Sequence, residues 1–261
     1  MNRRWLILTL VSMGAAAAQA GTVVDMQWRS LPDGKPRPHT VIYAQDGQFR
    51  MDSLDSSGHV QDFVVVRDGN IWQVDVTKRT FYLFDKAALA NQRTAMQGRW
   101  QSMLQALPAG QRAAMEARMQ GVMQHAQQAD LSMTDTGHTD RVGSWTCEVW
   151  RLQLNGRPTS DACIAPRGVL TGGDELVDST HKAANIAADV LGSLPEARAS
   201  QMRMAMYGKS DGFPVRVRQL SGDTPDDEEI VSSIRTRSLP ADTFAIPKGF
   251  TQTTMAADTG E

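Results

Sequence analysis

The pattern of apolar and polar positions divides the chain into strand-rich and helix-rich blocks. Between residues 22 and 84, apolar residues alternate with polar ones, as Val24, Met26 and Trp28 do. This is the period of a half-buried β-strand. Short turn signals such as Asp46-Gly47 separate the successive runs. Because these connections are too short for crossover helices, the pattern predicts an antiparallel meander.

The period changes after the meander. From Lys86 to Gln128 apolar residues recur at helical spacing, and the stretch from Leu107 to Gly110 separates two predicted helices. A second helical block is predicted from Asp174 to about Tyr207, with a break at Pro195. The pattern therefore predicts helical insertions in an antiparallel sheet, which is an α+β fold.

Strands resume towards the C-terminus. The pattern predicts strands at Phe213 to Leu220 and at Ile230 to Arg237. Between them lies the acidic stretch from Asp223 to Glu229, which we interpret as a solvated loop and not as a calcium site.

Cys147 and Cys163 are the only cysteines of the chain. The sequence from Trp145 to Ala165 predicts two strands joined by a turn that begins at Asn155. Since both cysteines are equally far from Asn155, a hairpin centred there places them opposite each other, at a spacing that a disulfide can bridge. We therefore predict a structural disulfide, and not a redox pair of the Cys-x-x-Cys type.

The N-terminus has the features of a secretory signal peptide. Two arginines precede an apolar core that extends from Trp5 to Val11, and Ala18-Gln19-Ala20 has the small-x-small pattern of a cleavage site. The apolar core is too short to span the roughly 30 Å of a bilayer's hydrocarbon. No cysteine follows the cleavage site, so no lipid anchor is predicted. We expect cleavage after Ala20 and a soluble periplasmic protein.

The rest of the chain is predicted to form one domain, residues 21–250, followed by a flexible tail, residues 251–261. Loss of the signal peptide leaves 25 basic and 29 acidic side chains, a net charge of −4. This balance gives no indication of a nucleic-acid partner.

Motifs for catalysis are absent from the sequence. It contains no Gly-x-Ser-x-Gly elbow and no His-Glu-x-x-His pair, and its five histidines lack the spacing of metal ligands. We therefore expect a protein without enzymatic activity, cofactor or metal. A hydrolase site assembled from distant residues stays open as an alternative.

Three stretches resemble a bacterial protein family, domain of unknown function 4412. They are Val65 to Tyr82, which has a strand-turn-strand pattern, Gly143 to Trp150, and the closing segment from Leu239 to Phe250. The family is in turn similar to periplasmic lipoprotein carriers of the LolA type. The resemblance implies a curved antiparallel sheet, an incomplete barrel, with helical insertions covering its concave face.

Such a sheet with helices in its mouth can hold an apolar ligand. The expected ligand is a lipid, an acyl chain or a lipoprotein, and the eight methionines in the helical blocks suit an adaptable apolar surface. The candidate ligand-binding residues are Trp28, Tyr43, Phe49, Trp72, Phe81, Met96, Trp100, Met103, Met119 and Met123.

Two interpretations of these apolar residues stay open. They can line a ligand cavity, or they can fill the core while the methionine-rich helices bind an envelope protein, as an assembly module would. An open apolar cavity favours the first, and a filled core with an exposed apolar helix face favours the second.

Overall fold

The computed structural model describes residues 20–31, 36–127, 130–191 and 210–253, and the predicted signal peptide, apart from Ala20, therefore lies outside the described residues. The helices are α1 (Lys86–Ala106), α2 (Ala109–Gln127) and α3 (Gly173–Leu191), and Arg167–Val169 forms a short 3₁₀ helix. The strands are β1 (Ala20–Ser30), β2 (Pro36–Gln45), β3 (Gln48–Leu54), β4 (Val60–Arg67), β5 (Asn70–Asp75), β6 (Thr80–Phe84), β7 (Leu131–Val142), β8 (Trp145–Leu154), β9 (Arg157–Pro166), β10 (Gly212–Ser221), β11 (Thr224–Ser238) and β12 (Thr251–Gln252).

The strands form one open sheet in the order β12-β6-β5-β4-β3-β2-β1-β11-β10-β9-β8-β7. It consists of two antiparallel meanders, β1 to β6 and β7 to β11, which are joined where the first strand pairs with β11. The meander from residue 22 to 84 is therefore confirmed. The sequence patterns did not predict β7, which forms an edge of the sheet.

Helix α3 lies across one face of the sheet. It contacts β10 and β5, which have five strands between them in the sheet. One helix can reach both because the sheet curves around it, so α3 covers the concave face. The predicted α+β class, with a curved, non-closed antiparallel sheet and a helical insertion on its concave face, is confirmed.

Helices α1 and α2 form a hairpin that connects the two halves of the sheet. The hairpin leaves from β6, next to one edge, and returns to β7 at the other edge. The Asp85 carboxylate caps α1 by accepting a hydrogen bond from the Ala88 amide at 2.6 Å. At the other end of α1, the Arg112 guanidinium donates to the Leu104 carbonyl at 2.9 Å and joins the two helices.

The predicted disulfide between Cys147 and Cys163 is present, with the two Cα atoms 5.3 Å apart. The predicted register was wrong, because Cys163 pairs with Val149 and the cysteines are therefore diagonal neighbours. The hairpin turns within two residues, Asn155 and Gly156, both with positive φ. A register shift between Leu152 and Gln153 then moves the pairs that lie farther from the turn by one more residue.

The interpretation of the acidic stretch from Asp223 to Glu229 as a solvated loop was wrong. Gly222 and Asp223 alone make the turn, and β11 already begins at Thr224. Most of the acidic residues therefore lie in a strand that pairs with β10 and β1. Glu228, near the end of this segment, is completely buried.

The C-terminal segment 239–253 packs on the convex face of the sheet. Phe244 is buried against Phe63 and Val74. The Arg50 guanidinium stacks over the Phe63 ring at 3.8 Å, pairs with Asp52 and donates to the Thr243 carbonyl at 2.7 Å. β12 pairs with β6, so ordered structure extends into the segment predicted to be a tail, whereas residues 254–261 lie outside the described residues.

Candidate functional site

The space between α3 and the sheet is filled with side chains. Leu176 and Val177 of α3 are completely buried, as are Met26 and Phe213 on the strands beneath them. Further along the helix, small residues such as Ala183 allow close approach to the sheet. These side chains form a packed core and not a ligand cavity.

The sequence-predicted ligand residues on the strands do not come together. Phe49 is buried in the core beneath α3. Tyr43, Trp72 and Phe81 pack in the cluster on the convex face, beneath the C-terminal segment. The separation follows from the pleat of the sheet, because neighbouring residues of a strand point to opposite faces. Trp28 is half-buried near the end of β1, outside both clusters.

The predicted ligand residues on the helices lie in the α1–α2 hairpin. Trp100 is half-buried, and the Met103 side chain is 43 % exposed. The side chains of Met96, Met119 and Met123 lie outside the described residues. Of the helical candidates whose side chains are described, Trp100 and Met103, neither belongs to the packed core beneath α3.

A shallow depression of about 600 Å³ lies on the solvent side of α3. It is lined by Asn185, Ile186, Ala188 and Asp189, and Ile186 also packs against the core. Lys86, the first residue of α1, forms an ion pair with Asp189 at 2.7 Å. The depression therefore has an apolar floor and a charged rim at the start of the hairpin.

A row of charged side chains crosses the part of the concave face that carries polar residues. Strand pairing places opposite charges next to each other in the order Arg29, Glu228, Arg218, Asp161 and Arg151, on β1, β11, β10, β9 and β8. We call these five residues the charge row. The guanidinium of Arg29 donates to Glu228 at 2.9 Å, and that of Arg151 donates to Asp161 at 2.8 Å.

Glu228 is the buried centre of this row. Burial opposes its ionisation, but the hydrogen bonds from Arg218 and Arg29 outweigh burial and lower the pKa of its carboxyl. Arg216 lies next to the row and pairs with Asp140, whose pKa this hydrogen bond also lowers. The sequence signal for the row was the alternation of arginines in β10 opposite an acidic stretch, which the loop interpretation overlooked.

One cluster brings a serine, a histidine and a carboxylate together, as the hydrolase alternative requires. Asp25 accepts a hydrogen bond from the Ser233 hydroxyl at 2.6 Å, and His39 Nε2 lies 3.6 Å from its other oxygen. In a catalytic triad the histidine stands between the hydroxyl and the carboxylate. Here the carboxylate stands in the middle and is also paired with Arg235. The cluster therefore does not have the geometry that activates a serine.

The described residues show two further properties. None of their helices is long and apolar enough to cross a membrane. Among them, no three His, Cys, Asp or Glu side chains are grouped as metal ligands would be.

Comparisons with known proteins give only distant likenesses. No protein-family model matches the chain, and no curated protein matches it significantly, so the resemblance to domain of unknown function 4412 stays a prediction.

Three solved structures are weakly similar to the chain. An uncharacterized conserved protein of Thermus thermophilus has 12 % identity and a TM-score of 0.43, with 89 % of each chain covered. The Pseudomonas aeruginosa MucA/MucB complex has 12 % identity and a TM-score of 0.35, with 86 % of this chain and 54 % of that chain covered. A LolA superfamily protein of Nitrosomonas europaea has 8 % identity and a TM-score of 0.27, with 87 % and 90 % covered. At these scores none of the likenesses supports an inference about function.

Proposed function

We propose that this chain is a non-catalytic binding protein of the bacterial envelope that takes an apolar ligand beneath its helical hairpin. The ligand is an acyl chain, either of a free lipid or of a lipoprotein. The observation that carries the proposal is the hairpin itself, whose described side chains are mostly exposed and include Trp100 and Met103. The depression on α3 begins where the hairpin leaves the sheet.

The packed core determines where such a ligand would bind. A ligand between α3 and the sheet would have to displace Leu176 and Val177, which are completely buried. A ligand on the solvent side of α3 displaces no core residue and meets the apolar floor formed by Ile186 and Ala188. We therefore place the ligand between the outer side of α3 and the hairpin. This location uses Trp100 and Met103 of the helical candidates and excludes Tyr43, Phe49, Trp72 and Phe81.

The proposal includes the location of the protein in an oxidising compartment of the bacterial envelope. A disulfide between buried cysteines suits an oxidising environment, and the N-terminal pattern predicts export. Acyl transport across such a compartment needs a soluble protein with an apolar surface that can be covered. The hairpin, attached to the body at its two ends, supplies a cover of that kind.

A second candidate function is protein binding by the same hairpin. The 43 % exposure of Met103 favours it, because an apolar side chain at this exposure can contact a partner directly. In this case the protein is an envelope assembly module without a lipid, and the hairpin binds an apolar segment of its partner.

Native mass spectrometry of the full-length protein purified from a bacterial periplasm tests the first function. We expect a bound lipid in stoichiometric amount and uptake of a fluorescent fatty acid by the emptied protein. Met103→Glu should weaken this uptake about tenfold or more, since it places a charge in an apolar site. Gln97→Glu adds the same charge at another exposed position of α1 and serves as the control.

The possible results separate the two functions. A protein that is purified empty and takes up no fatty acid rules out the lipid ligand. Equal uptake by both variants places the ligand away from the hairpin and contradicts the proposed site. If the protein stays empty while Met103→Glu abolishes a stable complex with an envelope protein, the assembly module is the correct function.

A further inference from the structure

Stability alone does not require a buried ion pair at the centre of the charge row. Removing a carboxylate from water costs several kcal/mol, and apolar residues of the same volume often stabilise a fold as well as a buried ion pair does. Glu228 is completely buried, whereas the Arg29 and Arg218 side chains that pair with it are 51 % and 36 % exposed. The carboxylate of Glu228 therefore lies beneath the surface. The guanidinium groups lie above it, where they can contact a ligand.

The carboxylates hold the arginines but leave some of their N–H groups available. Arg29 and Arg151 each use Nε and Nη2 for their carboxylate, and Arg218 uses Nε. A guanidinium has five N–H donors. Among the described residues, the Nη1 groups of all three arginines and Nη2 of Arg218 therefore remain as donors. Glu228 and Asp161 fix the orientation of these groups in advance, which lowers the entropy cost of binding.

The nearby acidic residues lie on the other face of the sheet or at its end. Asp227 and Glu229 alternate with Glu228 along β11, so their side chains point to the opposite face. Asp223 lies in the β10–β11 turn and acts electrostatically on Arg151, and Asp226 is the third residue of β11. Within the row itself three arginines stand against the carboxylates of Glu228 and Asp161, while Arg216 beside the row pairs with Asp140. The guanidinium groups of the row therefore outnumber its own carboxylates by one and are its more exposed members.

We propose that the charge row binds an extended acidic peptide segment of a partner protein. Arg29, Arg218 and Arg151 stand on every second strand, so they are about 10 Å apart and the row extends over about 20 Å. A single phosphate or carboxylate would reach one of them. An extended segment with a carboxylate at every second residue, about 7 Å apart, reaches all three through flexible side chains.

This site is separate from the hairpin, so it does not depend on the proposed lipid ligand. Arg218 is the central residue of the site, because it has two N–H groups available and neighbours on both sides. Charge complementarity identifies the occupant as anionic, and the length of the row identifies it as extended.

Fluorescence anisotropy tests the proposal with a labelled heptapeptide in which serine and glutamate alternate, at low ionic strength and with the full chain. We expect saturable binding that weakens as salt is added, because the contacts are between charges. The same peptide with glutamine in place of glutamate should not bind. Arg218→Gln should weaken binding about tenfold or more, since it removes charge-assisted hydrogen bonds.

Arg218→Gln also removes a partner of Glu228, so two further variants separate binding from folding. Arg151→Gln, at the end of the row, should weaken binding while the melting temperature stays near that of the wild type. Arg237→Gln, an exposed arginine at the far end of β11, should bind as the wild type does. The proposal is overturned if neither peptide binds, if all variants bind alike, or if inorganic phosphate at equal concentration competes fully with the peptide.

Discussion

Helix α3 and the two helices of the hairpin have similar lengths but very different environments. Helix α3 buries one side against the sheet, from Leu176 to Val190. In the hairpin, Leu89 and Leu104 are the buried residues among the described side chains, and most of the others are exposed. The apolar residues of α3 gather on one side of the helix, whereas those of α1 and α2 are spread around their helices. The comparison shows that a helix packs against the sheet when its apolar residues share one side.

The difference follows from the strands that each region connects. Helix α3 is inserted between β9 and β10, which are neighbours in the sheet, so the chain returns beside the strand it left. It can therefore lie back across the concave face. The hairpin connects β6 with β7, which lie at opposite sides of the sheet, and it enters the core at Leu89 beside β6.

Two alanine substitutions, one in α3 and one in the hairpin, test this comparison most strongly. Leu176→Ala in α3 should lower the free energy of unfolding by about 2–5 kcal/mol, because it leaves a cavity in a packed core. Met103→Ala in the hairpin should change it by less than about 0.5 kcal/mol, because its side chain is exposed. Urea unfolding followed by circular dichroism measures both. Equal losses would mean that the hairpin is packed as tightly as α3.

The disulfide belongs to the same core as α3 and provides the second prediction. Replacing both cysteines by alanine should lower the free energy of unfolding by about 3 kcal/mol, because the unfolded chain is no longer constrained. Hydrogen exchange should then become faster in α3 and in β8 and β9. Exchange in the hairpin should stay as fast as in the wild type. An unchanged α3 would show that its packing is independent of the disulfide.

The third prediction concerns Glu228 in the charge row, on the part of the concave face that α3 does not cover. The folded state lowers the pKa of Glu228, so its ionised form contributes stability at pH values above the usual pKa of about 4.5. This contribution is lost as the pH falls through the lower pKa of the folded state. Glu228→Gln should therefore cost about 2 kcal/mol at pH 7, because it removes hydrogen bonds to a charged group.

The pH dependence of the variant separates Glu228 from the other acids. The difference between wild type and Glu228→Gln should shrink as unfolding is measured at pH values below about 4.5. Asp52, on the convex face, is no substitute for Glu228 in this test, because burial raises its pKa and its effect has the opposite sign. A difference that stays constant with pH would mean that folding does not shift the pKa of Glu228.

Local patterns predicted much of the fold. The turn at Leu107 to Gly110 separated α1 from α2, and the sequence around Asn155 predicted the disulfide hairpin. The patterns did not predict the register of that hairpin, because the two-residue turn centres it between Asn155 and Gly156 and a shift beyond the turn moves the pairs by one more residue. The candidate ligand residues were apolar, as expected, but the pleat of the sheet divided them between two faces.

The sequence by itself determined the alternation of strands and helices, the position of most turns and the pairing of the two cysteines. These properties depend on residues close together in the chain, whose spacing sets which side of an element they occupy. The tertiary structure alone decided that α3 fills the concave face and that Glu228 lies beneath arginines of β1 and β10. These depend on contacts between residues far apart in sequence, such as Arg29 and Glu228, and no local pattern contains them.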